Sequence, residues 1–242
     1  MIRSFGATHP GLRRGNNEDA FAILPNLSAA ILADGMGGHN CGEVGSAITI
    51  RASSDYLAAP EAGLTPAETA MEAIRTANRE VIAAAKLRTE CDGMGSTIVL
   101  AIWTLPEIVL ANVGDSRAYL FRGGALRQLT YDQNFGNELR HQLGFSEERL
   151  LTVPNRKILT MAVGTFENIL VRTHVETLEP GDRILICSDG LYGPVDDATT
   201  IEILNRGGTL QAQVETLIAC ANQRGGPDNV TAVLLEYGEA HG

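Results

Sequence analysis

The sequence contains no run of Lys and Arg, and its formal net charge over 242 residues is −10. Nucleic-acid backbones and anionic membrane surfaces are bound by clustered cations, so neither is expected as a partner. No stretch approaches the ~20 apolar residues that span a bilayer. The opening residues, MIRSFGATHPGLRRG, lack the apolar core of a signal peptide. Cysteine is scarce: Cys41, Cys91, Cys187 and Cys220 lie far apart and form no C-x-x-C. That spacing excludes a zinc knuckle and predicts no disulfide framework, and Cys187, inside an apolar run, reads as a small buried hydrophobe. A cytoplasmic, reduced and unanchored protein is expected. Low-complexity tracts, fixed-period repeats and long linkers are absent too, so one domain over 1–242 is expected. Several catalytic signatures are missing: G-x-x-x-x-G-K-[ST], H-E-x-x-H and G-x-S-x-G. Gly35-Met36-Gly37 begins like a dinucleotide fingerprint, but Asn40 stands at the third glycine position.

What is present is a series of short apolar runs. Strands are predicted at Ser28–Ala33, Ser96–Trp103, Ile108–Val113, Ala118–Arg122, Val171–Leu178, Arg183–Cys187 and Val230–Glu236. Glu179-Pro180-Gly181-Asp182 suits a type II turn, which predicts a hairpin between the flanking strands. Val44, Ala47, Ile48, Ala52 and Tyr56 recur at helical spacing over 42–58. Thr65-Pro66-Ala67-Glu68 reads as a capping box with Pro at the first helical position, opening an Ala-rich helix to about Lys86. Thr209 caps a third helix carrying Leu210, Val214, Leu217, Ile218 and Ala221. The order lacks regular βαβα alternation, so a largely antiparallel sheet system covered by helices is expected.

The acidic residues fall at the edges of these runs. Ala30–Ala33 leads into Asp34-Gly35, and Ile184–Ser188 into Asp189-Gly190. Asp115 follows a strand in Gly114-Asp115-Ser116, Asp228 precedes the last one, and Glu18-Asp19 are adjacent. A carboxylate at such an edge is costly to desolvate unless something compensates it. Carboxylates, carbonyls and water form the oxygen shell that Mg²⁺ and Mn²⁺ prefer. Any one Asp-Gly alone is ordinarily a turn. Five acidic motifs at strand edges suggest more, although spacing alone does not show that they converge. Arg14, four residues before Glu18 on a Gly/Asn-rich loop, is an available phosphate-binding cation, though on spacing alone an ordinary solvated arginine beside Arg13 is the better reading.

Taken in order, Arg14-Gly15-Asn16-Asn17-Glu18-Asp19, Asp34-Gly35-Met36-Gly37-Gly38-His39, Gly114-Asp115-Ser116-Arg117, Ser188-Asp189-Gly190-Leu191 and Asp228-Asn229 resemble the motifs of the PP2C (PPM) protein phosphatases, in their bacterial stand-alone form. The resemblance runs from about Gly11 to Glu236. It implies an α+β fold, a four-layer α-β-β-α sandwich of two mainly antiparallel sheets flanked by helices, with a flap at about 131–157. It implies two Mn²⁺ or Mg²⁺ ions and a weaker third. Asp34 would bridge the two, Asp189 and Asp228 would complete one site, and Glu18 with the Gly35 carbonyl would serve the other. Asp115 with Asp189 matches the third site. Arg14 would grip the substrate phosphate, while Asp19 and Asn229 would support the site. The implied reaction is hydrolysis of phosphoserine or phosphothreonine by direct attack of a metal-bridging water. The implied partners are a phosphoprotein substrate and a cognate bacterial Ser/Thr kinase, with secretion-system control among the possible settings and a monomer as the assembly.

Two positions depart from the family pattern. Met36 stands where eukaryotic relatives have a His proposed as general acid; His39 or a metal-bound water would take that part. Thr130-Tyr131-Asp132-Gln133-Asn134 replaces the Thr-x-Asp-His-Ser of many bacterial relatives and bears on substrate choice. Two other functions remain to be separated from this one: a catalytically dead phosphoprotein binder, and a hydrolase of small phosphate esters.

Overall fold

The computed structural model describes residues 1–37 and 41–238. The chain opens with β1 (Ile2–His9), β2 (Asp19–Leu24) and β3 (Ala29–Met36), then α1 (Gly42–Ala58) and α2 (Pro66–Leu87). A run of strands follows: β4 (Gly95–Ser96), β5 (Ile98–Thr104), β6 (Glu107–Val113), β7 (Arg117–Arg122) and β8 (Ala125–Gln128). Then come α3 (Phe135–Leu143), α4 (Glu147–Leu151), β9 (Arg172–Thr177) and β10 (Arg183–Cys187). The chain ends with α5 (Asp189–Tyr192), α6 (Asp197–Asn205), α7 (Leu210–Gln223) and β11 (Val230–Tyr237).

The strands form two antiparallel sheets, ordered β1-β11-β10-β7-β8 and β2-β3-β5-β6-β9, with β4 paired to β3. Period-2 side-chain alternation explains why both sheets are apolar on both faces. From β3, Ala30 and Leu32 join Ile184 and Ile186 of β10 and Val233 and Leu235 of β11 between the sheets. Ala29 and Ile31 face the other way, against Ala52 of α1 and Ala73, Ile74 and Ala77 of α2. On the far side, Leu185 and Cys187 meet Val214, Leu217 and Ile218 of α7. The result is the α-β-β-α sandwich expected of an α+β chain. Among the described residues, no helix is long and apolar enough to cross a membrane.

The helix starts are chemically specified. Thr65 accepts from Glu68 N–H while the Glu68 carboxylate accepts from Thr65 N–H, closing the capping box of α2. Thr209 caps α7 by accepting from Ala212 N–H. Two expectations fail. The turn at Glu179–Asp182 forms, with Gly181 at φ +94° and Asp182 N–H donating to Glu179 O, but β9 and β10 do not pair. β9 lies against β6 in one sheet and β10 against β7 and β11 in the other. A tight turn fixes a local reversal, whereas the buried faces choose the strand partners, and here the turn carries the chain between layers. The second correction concerns cysteine: Cys41 and Cys91 are joined as a disulfide across a separation of 50 residues. Helices α1 and α2 pack as a hairpin, which brings the start of the first beside the end of the second. Their distance in sequence hides that proximity.

Leu32 is fully buried between the sheets. Leu32→Ala is expected to cost about 2–5 kcal/mol, through lost transfer energy and the cavity left behind. Urea unfolding should show a lower midpoint at an unchanged slope. A loss well under 1 kcal/mol would contradict its place in the central layer.

Candidate active site

One end of the sandwich collects the acids because strand ends from both sheets meet there. Antiparallel pairing sets Asp34 of β3 opposite Asp19 of β2, with Glu18 just before it. The link from β6 to β7 crosses between the sheets through Gly114-Asp115-Ser116. Asp189 follows β10 and Asp228 precedes β11, so both arrive from the second sheet. Glu18, Asp34, Asp115, Asp189 and Asp228 line one open cavity together with Gly35, Met36, Thr97 and Asn229. Arg14 and Lys157 are the only cations among its described lining residues.

Five carboxylates facing two cations leave the site short of positive charge. Burial pushes the Asp34 carboxyl well above the usual range, and Asp19, Asp189, Asp115 and Asp228 push it further. Burial, with Asp189 adding, raises Asp115 to about 6. Asp189 is raised by burial against the pull of Lys157, and Glu18 by burial against the pull of Arg14. Arg14 Nη2 donates to Asp228 Oδ2 at 2.9 Å, and Lys157 Nζ lies 3.4 Å from Asp189 Oδ2.

The acids are held from behind by uncharged groups. Thr97 clamps the Asp34 backbone twice: its N–H donates to Asp34 O, and its Oγ1 accepts from Asp34 N–H. Thr97 Oγ1 also bonds Ser116 Oγ at 2.7 Å, tying Asp34 to the Asp115 link. Asp19 joins the sheets, because its Oδ2 accepts from Ser188 Oγ and Thr231 Oγ1, each at 2.7 Å. Among the described residues its Oδ1 has no hydrogen-bond partner unless the neighbouring Asp34 carboxyl is protonated and donates. Burial raises Asp19 to about 6, although the two hydroxyls oppose the shift. Asn229 pins the loop that carries Arg14 and Glu18. Its Oδ1 accepts from Glu18 N–H, and its Nδ2 donates to Pro10 O and Asn16 O. Two close approaches demand glycine. A Cβ on Gly35 would lie 2.0 Å from Gly42 O, and one on Gly190 1.8 Å from Asn229 O.

Residues 131–157, the expected flap, carry α3 and α4 and are bonded to the site at their root. Asn134 accepts from Asn137 N–H to cap α3 and donates from Nδ2 to Asp115 Oδ2 at 3.2 Å. Arg117 grips Asp132 through Nε and Nη2 and stacks over the Tyr192 ring, whose hydroxyl donates to Asp115 O.

The donor set fits hard divalent cations: every charged ligand candidate is a carboxylate, several are buried, and their like charges are only partly compensated by Arg14 and Lys157. Among the described residues, no three acids or histidines close round one point. Of the residues singled out in the sequence, Arg14, Glu18, Asp34, Gly35, Asp115, Asp189, Asp228 and Asn229 meet at this cavity, and Asp19 lies behind it. His39 is outside the described residues. Lys157, Thr97 and Asn134 are additions. Thr97 falls inside the predicted strand Ser96–Trp103 and Asn134 in the segment that departs from the family pattern, but no sequence signal marks Lys157.

The profile described as "Protein phosphatase 2C" matches residues 11–234. The serine/threonine phosphatase stp of Listeria innocua is 37% identical over 235 residues, covering 95% of this chain and 93% of that protein. Among solved structures, the catalytic domain of serine/threonine protein phosphatase PstP in complex with two manganese ions superposes with TM-score 0.87 at 32% identity. The match covers 98% of this chain and 99% of that one. PppA, a key regulatory component of T6SS in Pseudomonas aeruginosa, superposes with TM-score 0.84 at 31% identity, over 97% of each chain.

Asp19 and Asp115 bind protons more tightly in the fold than in the unfolded chain, where carboxylates titrate near 4. Their contribution to stability is therefore fully present below about pH 4 and lost as pH rises through about 6. Protein treated with chelator should melt at a lower temperature at about pH 7.5 than at about pH 5.5. Added Mn²⁺ should raise the melting temperature more at the higher pH, where the carboxylates are ionised. Equal melting at both values without metal would contradict the account.

Proposed function

This chain belongs to the protein phosphatase 2C family, and we propose that it is a metal-dependent protein serine/threonine phosphatase. The observation that carries this reading is the bowl of five carboxylates, held by both sheets and underneutralised by its own cations. Asp34 would be shared between two divalent ions, with Asp189 and Asp228 on one and Glu18 and the Gly35 carbonyl on the other. The PstP complex with two manganese ions supports that number. Asp115 with Asp189 would hold a weaker third, and Mg²⁺ would serve as well as Mn²⁺ because both take hard oxygen ligands. When bound, the ions supply Lewis-acid charge and lower the pKa of water for in-line displacement at phosphorus.

The chain's own residues do the positioning. Arg14, exposed at the cavity and carried on the loop pinned by Asn229, would turn from Asp228 to the phosphoryl oxygens. Asp19 and Thr97 hold Asp34 at fixed depth, so the bowl needs little rearrangement when its charge is met. His39 is offered as the proton donor to the leaving group. The chain has no need of an activated Ser or Cys nucleophile, since water is the attacking group.

The proposed substrate is a phosphoprotein modified by a bacterial Ser/Thr kinase, with the cytoplasm as the setting and a monomer as the assembly; the likeness to bacterial serine/threonine phosphatases supports the phosphoprotein substrate. The likeness to PppA is of the same order as that to PstP. It supports secretion-system control as one setting without favouring it over other kinase pathways.

Purified protein with Mn²⁺ is expected to release phosphate from a phosphothreonine peptide, and excess chelator should abolish the release. Asp34→Asn should lower kcat roughly a hundredfold or more while leaving the protein folded, since it removes a ligand charge from the centre. Activity that survives chelator would sink the metal mechanism. Turnover of nucleotides or sugar phosphates with no turnover of the peptide would move the protein to the small-ester hydrolases.

A further inference from the structure

The bowl has two cationic arms, and only Arg14 has been given a task. Lys157 shares its setting closely. Each side chain is more than half exposed, at 53% for Arg14 and 65% for Lys157. Each rests its charge on one acid of the second sheet, Arg14 on Asp228 and Lys157 on Asp189. Both line the acidic cavity. Lys157 alone also lines the two cavities beside it, one beneath α3 and α4 and the other along Gly190 and Arg224.

The base of this arm is fixed although its tip is free. Gly136 N–H donates to Arg156 O at 2.7 Å and Phe135 N–H to Ile158 O at 2.9 Å, holding the backbone on both sides of Lys157. Gly136 packs closely there, since a Cβ would stand 3.0 Å from Arg156 O. The same turn of α3 is capped by Asn134, which reaches Asp115. A long ammonium arm is thus rooted at the rim of the bowl, and its four-carbon stem leaves the charge free to move.

From this we propose that Lys157 is a second phosphate-binding residue, meeting the substrate's phosphoryl oxygens from the α3 side of the cavity. The inference rests on the phosphatase reading above. A phosphomonoester brings close to two negative charges to a bowl that already repels anions, so each cation able to leave its carboxylate gains by turning to the phosphate. Asp189 is one of the acids assigned to the divalent ions, and an ion seated there takes over the neutralising role of the ammonium. Lys157 is then released at the mouth through which the substrate enters.

The test uses Mn²⁺-loaded protein and two readouts: calorimetric binding of inorganic phosphate, and KM and kcat on a phosphothreonine peptide. Lys157→Ala should weaken phosphate binding and raise KM about tenfold each, with kcat changed less than about threefold, as for loss of one charge-assisted contact. Lys157→Arg should stay within about threefold of the parent in both, because the cation is retained. An unchanged melting temperature shows that the exposed substitution left the fold intact. If the parent hydrolyses the peptide but Lys157→Ala binds phosphate as tightly, Lys157 does not touch the phosphate and the inference is overturned. Tighter Mn²⁺ binding alone would make the lysine a stand-in for the metal, which overturns it equally. A parent protein that hydrolyses no phosphopeptide removes the phosphatase reading itself.

Discussion

Mutual repulsion among buried carboxylates is the constraint that shapes this end of the molecule. Asp34 has four other acids raising its proton affinity on top of its own burial. Left to themselves, such groups would move apart into water or remain protonated. They stay together because their backbones and neighbours are fixed by groups that carry no charge. Thr97 holds Asp34 from two sides, Ser188 and Thr231 occupy one oxygen of Asp19, and Asn229 crosslinks three points of the Arg14 loop. The strain is electrostatic and the restraint is hydrogen-bonded, so a change in charge can relieve the one without dismantling the other.

The sandwich makes that restraint possible. One sheet supplies Glu18, Asp19 and Asp34, the other supplies Asp189 and Asp228, and Asp115 lies on the link between them. The two sheets are packed through Leu32, Ile186 and Val233, so the spacing of the acids is set by apolar packing a few residues away. The Asp19 bonds to Ser188 and Thr231 then lock the two sheets together at the site itself. Fold and site meet in that contact: an acid behind the cavity holds together the strands that present the acids lining it.

Much of this was legible in the sequence, for identifiable reasons. Strands buried on both faces announce themselves as apolar runs, which is why β3, β5, β6, β10 and β11 were plain while the mostly half-buried β1 and β2 were not. Caps at Thr65 and Thr209 were readable because their partners lie three residues away. The acids were visible as strand-edge motifs, and the ordered resemblance to PP2C phosphatases supplied what spacing could not. What escaped was non-local. The turn at Gly181 does not say which sheet each flanking strand joins. Cys41 and Cys91 are separated by the whole α1–α2 hairpin. Lys157 reaches Asp189 from a segment with no motif of its own.

The openness of the bowl can be read in the same terms. A closed cage of carboxylates would satisfy a divalent ion completely and leave no position for a phosphoryl oxygen or for water. Here no three acids close on one point among the described residues, and two of the lining residues, Arg14 and Lys157, have exposed side chains. Each arm is paired with an acid proposed as a metal ligand, so on that proposal both pairings would give way once cations and substrate are present. The distribution of charge thus favours assembly in stages: fixed acids first, mobile cations last, and the phosphate between them. Rigid roots with free tips are what such an arrangement needs, and the Asn229-pinned loop and the α3-pinned backbone at Lys157 both have them.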